Sequence, residues 1–192
     1  MSSEKSLMQK NVVAIIQARL TSTRLPKKIL APIEGKPMIE HVIDRVKKAM
    51  FIKKIVVASP QKLPLELDVP IFYGSEDDVL SRYYFCAKKY RAEIIVRITS
   101  DCPLLDPTII EGAIWYFHNS KLPYVVFAPV DGLDVEVFTP EILEEAYIRS
   151  KDREHVTTYM REVTKCSVDT EEDLRKVRHV FHNREKRKDP TV

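Results

Sequence analysis

A loop crowded with cations follows a short apolar run near the beginning of the chain. Val12 to Ile16 has the composition of a buried strand, and the segment after it sets five cations against one acid, Glu34: these are Arg19, Arg24, Lys27, Lys28 and Lys36. Open α/β sheets bind phosphorylated ligands at the carboxyl ends of their strands. Arginine can bind two phosphate oxygens at once, and lysine supplies a point charge. The segment therefore predicts a site for a nucleotide or another polyphosphate.

Two interpretations of this loop remain on spacing alone. Most charged runs are solvated turns, and the phosphate-binding pattern G-x-x-x-x-G-K-[ST] is absent. In favour of phosphate binding, Ser22 and Thr23 can add hydroxyl or amide donors, and Leu25-Pro26 stiffens the turn. Because the cations come directly after a buried strand, we favour phosphate binding over a merely solvated turn.

A carboxylate follows a second apolar run, Ile94 to Ile98. Asp101 comes just after this run, so its side chain is expected at the same sheet edge as the basic loop. A carboxylate beside bound phosphates is the usual way in which proteins hold Mg²⁺. The alternative is that Asp101 only begins a turn before Pro103, as aspartate often does. Spacing does not decide between these two roles of Asp101. Asp106, by contrast, is predicted to be an ordinary helix cap.

Further acids occur at Cys166 to Leu174. Here Thr170 and Asp173 have the spacing of a capping box, which leaves Asp169 as a spare carboxylate. It would complete a metal site with Asp101 if the two positions were neighbours, which the sequence cannot show. The histidines do not form a metal-binding array, and His155 has no partner that spacing can assign.

The order of the elements predicts an α/β sandwich with a mostly parallel sheet. Strands are expected at Val12–Gln17, Lys54–Ala58, Val69–Phe72, Ile94–Ile98, Tyr124–Ala128 and Val135–Phe138. Helices are expected at Pro37–Met50, Glu76–Tyr90, Pro107–Asn119, Pro140–Ser150 and Thr170–His182. No linker divides the chain, so we expect one domain over residues 1–183 and a polar tail over residues 184–192.

The composition excludes several classes of protein. A formal net charge of +3 over 192 residues gives no general reason to expect nucleic-acid binding. The three cysteines are too few and too scattered for a disulfide framework or a zinc site. The amino terminus lacks the apolar core of a signal peptide, and no apolar run is long enough to span a membrane. We therefore expect a cytoplasmic protein with reduced thiols.

The chain resembles the cytidylyltransferases that make CMP-activated acidic sugars, including the CMP-Kdo and CMP-sialic acid synthetases. It looks most like the branch called spore coat polysaccharide biosynthesis protein F. The first matching motif, I-I-Q-A-R-L-T-S-T-R-L-P-K-K-I-L, is highly specific. The matching segments cover most of the chain in the family's order: Ile15–Leu30, Gly35–Val42, Gly74–Tyr83, Arg97–Pro107, Gly132–Phe138, Arg153–Thr157 and Val168–Leu174.

The resemblance implies a GT-A-like nucleotide-diphospho-sugar transferase fold, which is a Rossmann-like three-layer α/β sandwich. It also implies an enzyme that uses CTP and Mg²⁺ to activate a sugar for surface polysaccharide synthesis, releasing pyrophosphate, and that is often a homodimer. The backbone around Gln17, Ala18 and Arg19 would contact the nucleotide, and Arg19, Arg24 and Lys28 would hold its phosphates. By the same resemblance, Asp101 and Asp169 would be the Mg²⁺ ligands. Glu76 to Arg82 would line the base side of the site, and the residues on its sugar side would be Asp134, Glu136 and His155.

Three departures from the family pattern bear on these roles. The family usually has glycine where Lys27 stands, and glycine is common where Ser100 precedes the expected metal ligand. The chain is also shorter than many relatives between Trp115 and Gly132, which affects the expected sugar pocket and dimer segment. A glycosyltransferase of the same fold and a non-catalytic nucleotide-sugar binding module therefore remain alternatives. The first usually needs a D-x-D motif, which Asp101-Cys102-Pro103 lacks.

Overall fold

The computed structural model describes residues 3–22, 24–128 and 132–164. The chain divides into two compact units, Met1–Met160 and Arg161–Val192, and only residues 161–164 of the second are described. The sheet and the loops discussed below belong to the first unit. The expected helix Thr170–His182 and the expected tail lie outside the described residues, so the single domain over residues 1–183 stays a prediction.

A six-stranded sheet forms the centre of the first unit. Its strand order is β5-β4-β1-β6-β8-β7, in which β5, β4, β1 and β6 run parallel while β8 runs antiparallel to both of its neighbours, β6 and β7. The strands are β1 Val12–Gln17, β4 Lys54–Ser59, β5 Ile71–Tyr73, β6 Ile94–Thr99, β7 Tyr124–Phe127 and β8 Val135–Phe138. A separate small hairpin, not expected from the sequence, pairs β2 Pro32–Ile33 with β3 Lys36–Pro37.

Helices cover both faces of this sheet. They are α1 Ser3–Met8, α2 Met38–Lys47, α3 Val79–Lys89, α4 Pro107–Ser120, α5 Pro140–Arg149 and α6 Thr158–Thr164, with a 3₁₀ turn at Lys28–Leu30. Strand β1 shows the layering. Ala14 and Ile16 pack in one apolar core with α2 and α4, whereas Val13 and Ile15 pack in a second core with α3 and α5. The expected three-layer α/β sandwich with a mostly parallel sheet is confirmed.

Local capping explains where the helices begin. The side chain of Asp106 accepts a hydrogen bond from the Thr108 amide at 2.8 Å and so begins α4. Asp78 accepts one from the Ser81 amide at 2.8 Å, so α3 begins at Val79 rather than at Glu76. The sequence-based start was therefore three residues early, because the acids of this segment precede the helix and one of them caps it. Helices α1 and α6 were not expected from the sequence.

The strand order creates a crevice at one edge of the sheet. Strand β1 lies between β4 and β6, so the chain crosses to opposite sides of β1 in its two halves. In open α/β sheets, ligands bind outside the carboxyl ends of the strands at such a switch point. The loops that follow β1 and β6 are therefore the first place to look for a site. Within the described ranges, no helix has the length and apolar content needed to cross a bilayer.

Candidate functional site

Four loops meet at the carboxyl edge of the parallel strands. They are the loop after β1, described at residues 18–22 and 24–28, and residues 74–78 after β5, 100–106 after β6 and 150–157 after α5. Side-chain contacts tie the first loop to each of the other three. Lys28 pairs with Asp101, the Thr21 hydroxyl donates to Glu76 at 2.9 Å, and Arg19 lies 3.5 Å from Glu154.

The pair formed by Lys28 and Asp101 lies at the switch point itself. Lys28 Nζ donates to Asp101 Oδ2, and the two side chains are 25% and 36% exposed. Burial acts to raise the pKa of Asp101, but hydrogen bonds from Lys28 and Thr99 outweigh it and lower that pKa below its usual value. The crevice therefore holds an ionised carboxylate and an ammonium group that solvent and ligands can reach.

The loop before this pair turns through a left-handed residue. Lys27 has φ 55° and ψ 29°, and its amide donates to the carbonyl of Leu20 at 3.1 Å. A residue with a side chain is strained in this conformation, whereas glycine adopts it freely. The turn thus explains why a family with this loop would carry glycine here. The Lys27 side chain is exposed, so it does not fill the crevice.

The other cations of the loop differ in their surroundings. Arg24 is exposed, and Arg19 is about half exposed beside Glu154, whose side chain is 61% exposed. The Ser22 hydroxyl accepts from the Leu25 amide at 3.5 Å, which makes it part of the turn. Thr23 lies outside the described residues. The loop therefore presents arginine side chains that an anionic ligand can reach.

Arg82 is fully enclosed, at 1% exposure, in the first turn of α3. Its Nη1 donates to the carbonyl of Ser75. Burial, the largest cause, lowers the pKa of Arg82, and Arg19 lowers it further, while Glu76 acts in the opposite direction. Arg82 thus lies near both the loop after β1 and the loop after β5.

A buried network links the carboxyl-terminal halves of β1 and β6 to the amino-terminal half of β8. Arg97 donates to Glu136 through Nη1 and to Gln17 Oε1 through Nη2 at 3.2 Å. Glu136, which is 1% exposed, also accepts from the hydroxyls of Tyr124 at 2.7 Å and Thr157 at 2.8 Å. The carboxylate expected on the sugar side is thus engaged inside the protein and positions Arg97.

Sequence reasoning did not single out Arg97 as a site residue. The signal was available, because Arg97 interrupts the otherwise apolar run I-I-V-R-I. A charged residue inside a strand that is covered on both faces needs a partner. Asp134, the other carboxylate expected on the sugar side, is exposed just before β8.

His155 is oriented by a neighbouring carboxylate. Its Nδ1 lies 3.1 Å from Asp152 Oδ2, and its side chain is 71% exposed. Asp152 also accepts from the backbone amide of His155 and from the Thr158 hydroxyl, and these bonds lower its pKa to about 2. Because an ionised carboxylate only accepts, Nδ1 of His155 is the donor in this contact.

Arg153 fixes the loop of His155 against α3, a role that sequence reasoning missed. Its guanidinium donates to Asp78 Oδ2 at 2.8 and 3.1 Å and to the carbonyl of Tyr147 at 2.7 Å. Its own carbonyl accepts from the Leu80 amide at 3.0 Å. The residue that caps α3 therefore also holds the loop after α5 at the rim of the crevice.

The expected second metal ligand, Asp169, lies outside the described residues, so its pairing with Asp101 stays a prediction. Within the part of the chain that the structure describes, no group of three or more His, Cys, Asp or Glu side chains could hold a metal ion by itself. Asp101 fits Mg²⁺ in another way, because this ion often takes only one or two carboxylates and completes its shell with water and substrate phosphates.

Comparison with known proteins gives a consistent result. The family model described as cytidylyltransferase matches residues 13–179. Spore coat polysaccharide biosynthesis protein SpsF of Bacillus subtilis is 28% identical, over 79% of this chain and 70% of its own length. The 3-deoxy-manno-octulosonate cytidylyltransferase of Geobacter sulfurreducens is 36% identical over 54% of this chain, but the match spans only 44% of that enzyme. A solved cytidylyltransferase structure from Leptospira borgpetersenii superimposes with a TM-score of 0.73 at 28% identity, covering 86% of this chain and 84% of that one.

Proposed function

Because the chain belongs to the cytidylyltransferase family, we propose that it transfers the cytidylyl group of CTP to a sugar hydroxyl and releases pyrophosphate. The observation that carries this proposal is the pair of Lys28 and Asp101 at the switch point, beside an arginine-bearing loop. Phosphoryl-type transfer depends mainly on positioning and electrostatic stabilisation, and both can come from such groups without a covalent nucleophile.

In this proposal the residues of the loop after β1 bind the triphosphate. Arg19, Arg24 and Lys28 hold its oxygens, Gln17, Ala18, Ser22 and Thr23 contribute nucleotide contacts, and the sugar oxygen attacks the α-phosphorus in line. Lys28 turns from Asp101 to the phosphates, and Arg19 turns from Glu154, which is a weak and exposed partner at 3.5 Å. Both cations are thus kept near their working positions by carboxylates that they exchange for phosphate.

Asp101 is proposed to hold Mg²⁺ together with Asp169. Mg²⁺, when bound, would neutralise part of the charge that develops on the triphosphate during transfer. Asp101 is suited to this role because hydrogen bonding keeps its pKa low and the carboxylate ionised at neutral pH, although burial alone would raise that pKa. Its side chain is also more than one-third exposed, so a ligand can displace Lys28.

The proposed second substrate is an acidic sugar used in surface polysaccharide synthesis. Support comes from the relatives, one described as a 3-deoxy-manno-octulosonate cytidylyltransferase and another as a spore coat polysaccharide biosynthesis protein. Asp134 is exposed just before β8, and His155 is exposed in the loop after α5, which contacts α3 through Arg153 and β8 through Thr157. In this proposal the sugar lies beside these two residues. We assign Glu136 an indirect role in positioning Arg97. A cytoplasmic location and a homodimer belong to the proposal.

The proposal is tested by measuring pyrophosphate release from CTP with a panel of acidic sugars and Mg²⁺. The wild-type protein is expected to release pyrophosphate with at least one sugar. Asp101→Asn is expected to remove most of this activity with little loss of fold. A matched control is Asp68→Asn, because Asp68 also pairs with a lysine, Lys47, but lies just before β5 at the opposite edge of the sheet.

Three results would contradict the proposal. Near-wild-type turnover in Asp101→Asn would remove the role of that carboxylate. Binding of a CMP-sugar without pyrophosphate release from any sugar would instead indicate a non-catalytic binding module, and transfer of a sugar from a nucleotide-sugar donor to an acceptor would indicate a glycosyltransferase.

A further inference from the structure

A closed ring of side-chain contacts joins three of the loops at the mouth of the crevice. This contact ring consists of the pairs Thr21 with Glu76, Asp78 with Arg153, and Glu154 with Arg19. The first pair joins the loop after β1 to the loop after β5, the second joins that loop to the loop after α5, and the third returns to the loop after β1. Each loop is thus held from two sides, and a ligand that breaks one link leaves the other two in place.

The link between Asp78 and Arg153 is the firmest of the three. The guanidinium donates twice to Asp78 Oδ2, at 2.8 and 3.1 Å, and once to the carbonyl of Tyr147 at 2.7 Å. Hydrogen bonds between charged partners are stronger than neutral ones, and the two side chains are only about one-third exposed. The Arg153 carbonyl also accepts from the Leu80 amide at 3.0 Å, which satisfies a donor in the first turn of α3. The loop after α5 is therefore part of the cap of α3.

The link between Arg19 and Glu154 is the weakest of the three. The charged atoms lie 3.5 Å apart, and the side chains are 49% and 61% exposed. Exposed ion pairs of this kind contribute little to stability and are screened by salt. In the proposed function Arg19 leaves Glu154 for the triphosphate. The contact ring therefore opens at this link when a nucleotide binds, and the loop after α5 then depends on its remaining attachments.

Hydrogen bonds inside the loop after α5 tie the position of His155 to that of Arg153. Asp152 accepts from the backbone amides of Glu154 at 3.0 Å and His155 at 2.9 Å, which fixes the turn between them. At the far end of the loop, the Thr157 hydroxyl donates to the buried carboxylate of β8 at 2.8 Å. Because the far end is held there, the contacts of Arg153 set where His155 stands relative to α3.

We propose that Arg153 is a positioning residue that holds His155 at the crevice through Asp78. Its hold matters most once a nucleotide has drawn Arg19 away from Glu154. This inference rests on the proposed function, because the exchange of Arg19 is part of it. Arg153 contacts neither substrate and acts through the loop that carries His155. Loss of its two-donor fork should therefore spare the nucleotide site and weaken the use of the second substrate.

The test measures pyrophosphate release with the most active sugar of the panel, together with the dissociation constant for CTP in the presence of Mg²⁺. Arg153→Lys keeps the charge but loses the fork. Its KM for the sugar is expected to rise about 3- to 10-fold, because the loop is out of place for part of the time, while the CTP constant stays within about twofold. The control Arg149→Lys alters an exposed arginine of α5 that lies 3.4 Å from Glu145, and it should change neither constant.

Asp78→Asn separates positioning from folding. Asparagine is also a good helix cap, so α3 keeps its start, but the neutral amide loses the charge that Arg153 binds. This variant is expected to raise the KM for the sugar as Arg153→Lys does. Because the two residues act through one contact, the double variant is expected to be no worse than the worse single variant. Additive effects would mean that the residues act separately, and they would overturn the inference.

A measurement on the wild-type protein covers the case in which these variants do not fold. The Nε–H resonance of Arg153 can be assigned by NMR through its contacts with the aromatic ring of Tyr147, whose centroid lies 4.9 Å from the guanidinium carbon. It is expected to keep its position when CTP and Mg²⁺ are added, while the Nε–H resonance of Arg19 shifts. Loss or displacement of the Arg153 signal would mean that the firm link opens as well, and it would overturn the inference.

The outcomes separate this inference from the proposed function. If the wild-type protein releases pyrophosphate but Arg153→Lys keeps the wild-type KM for the sugar, the proposed function stands and the positioning role is wrong. An equal loss of CTP and sugar affinity in Arg153→Lys would indicate general disruption of the fold and would also overturn the role. If the wild-type protein releases pyrophosphate with no sugar, both fall together.

Discussion

Replacing Glu136 by glutamine tests whether this carboxylate supports the crevice from inside or contacts a substrate. The Glu136 side chain is 2% exposed, and its two oxygens accept from Arg97, Tyr124 and Thr157. Glutamine keeps the shape and one acceptor oxygen. Its amide nitrogen, however, would either face the Arg97 guanidinium or face the two hydroxyls, so one set of donors loses its acceptor.

The expected loss of stability in Glu136→Gln follows from the burial of the Glu136–Arg97 ion pair. Removing one partner of a buried ion pair costs about 3–5 kcal/mol. We expect the lower end, about 3 kcal/mol, because Arg97 is 20% exposed and can be partly hydrated. For a chain of this size each kcal/mol corresponds to about 2–4 °C, so the melting temperature should fall by about 6–12 °C.

The assay is urea or thermal unfolding at neutral pH, with Glu154→Gln as the control. Glu154 also pairs with an arginine, but at 3.5 Å and with 61% exposure, so its replacement should cost less than about 1 kcal/mol. If Glu136→Gln were as stable as the wild-type protein but bound the sugar more weakly, the structural role would be refuted. That result would support the sugar-side role that the family resemblance implies.

Three further predictions concern the loops around the crevice. The unfolding free energy of Lys27→Gly should exceed that of Lys27→Ala by up to about 1 kcal/mol. Both variants remove the charge, but only glycine adopts φ 55° without backbone strain. Equal stabilities of the two variants would argue against strain at this position. The pKa of Asp152 is about 2, against an ordinary 3.8. Its carboxylate should therefore add about 1 kcal/mol to the unfolding free energy above pH 4, and this contribution should be lost as the pH falls toward 2. Asp152→Asn should lack this contribution, and an unchanged pH-stability profile would contradict the assignment. The pKa of Asp101 is lowered in the nucleotide-free protein because hydrogen bonds from Lys28 and Thr99 outweigh burial, so the carboxyl carbon resonance of Asp101 should show no titration by NMR from pH 8 down to 5; a midpoint near pH 6 would contradict this ionised state.

The parallel core was predictable because its strands are buried on both faces. Such strands appear in sequence as continuous apolar runs, and β1 and β6 follow that pattern closely. The convergence of the basic loop and Asp101 was predictable for a related reason, since the carboxyl ends of neighbouring parallel strands meet at one edge. The small hairpin and the short helices α1 and α6 were missed because so few residues carry little periodicity.

The side-chain partners could not be predicted in the same way. Glu136 sits in V-E-V-F, where alternation suggests a polar residue facing a ligand or solvent, yet it shares a face of the sheet with Arg97 and Gln17. That pairing depends on the antiparallel register of β6 and β8, which the sequence does not specify. The enclosure of Arg82 likewise depends on where β5 ends relative to α3. These contacts are tertiary, and no local pattern encodes them.

The most direct test of the central claim is thermal stabilisation by CTP, UTP, ATP and GTP, each with and without Mg²⁺. A ligand at a hundredfold excess over its dissociation constant raises the unfolding free energy by about 2.7 kcal/mol. For a chain of this size that corresponds to a rise of about 5–11 °C in melting temperature. We predict such a rise for CTP, dependent on Mg²⁺ and much smaller for the other nucleotides. No stabilisation by any triphosphate, or equal stabilisation by all four, would contradict a cytidylyltransferase site in this crevice.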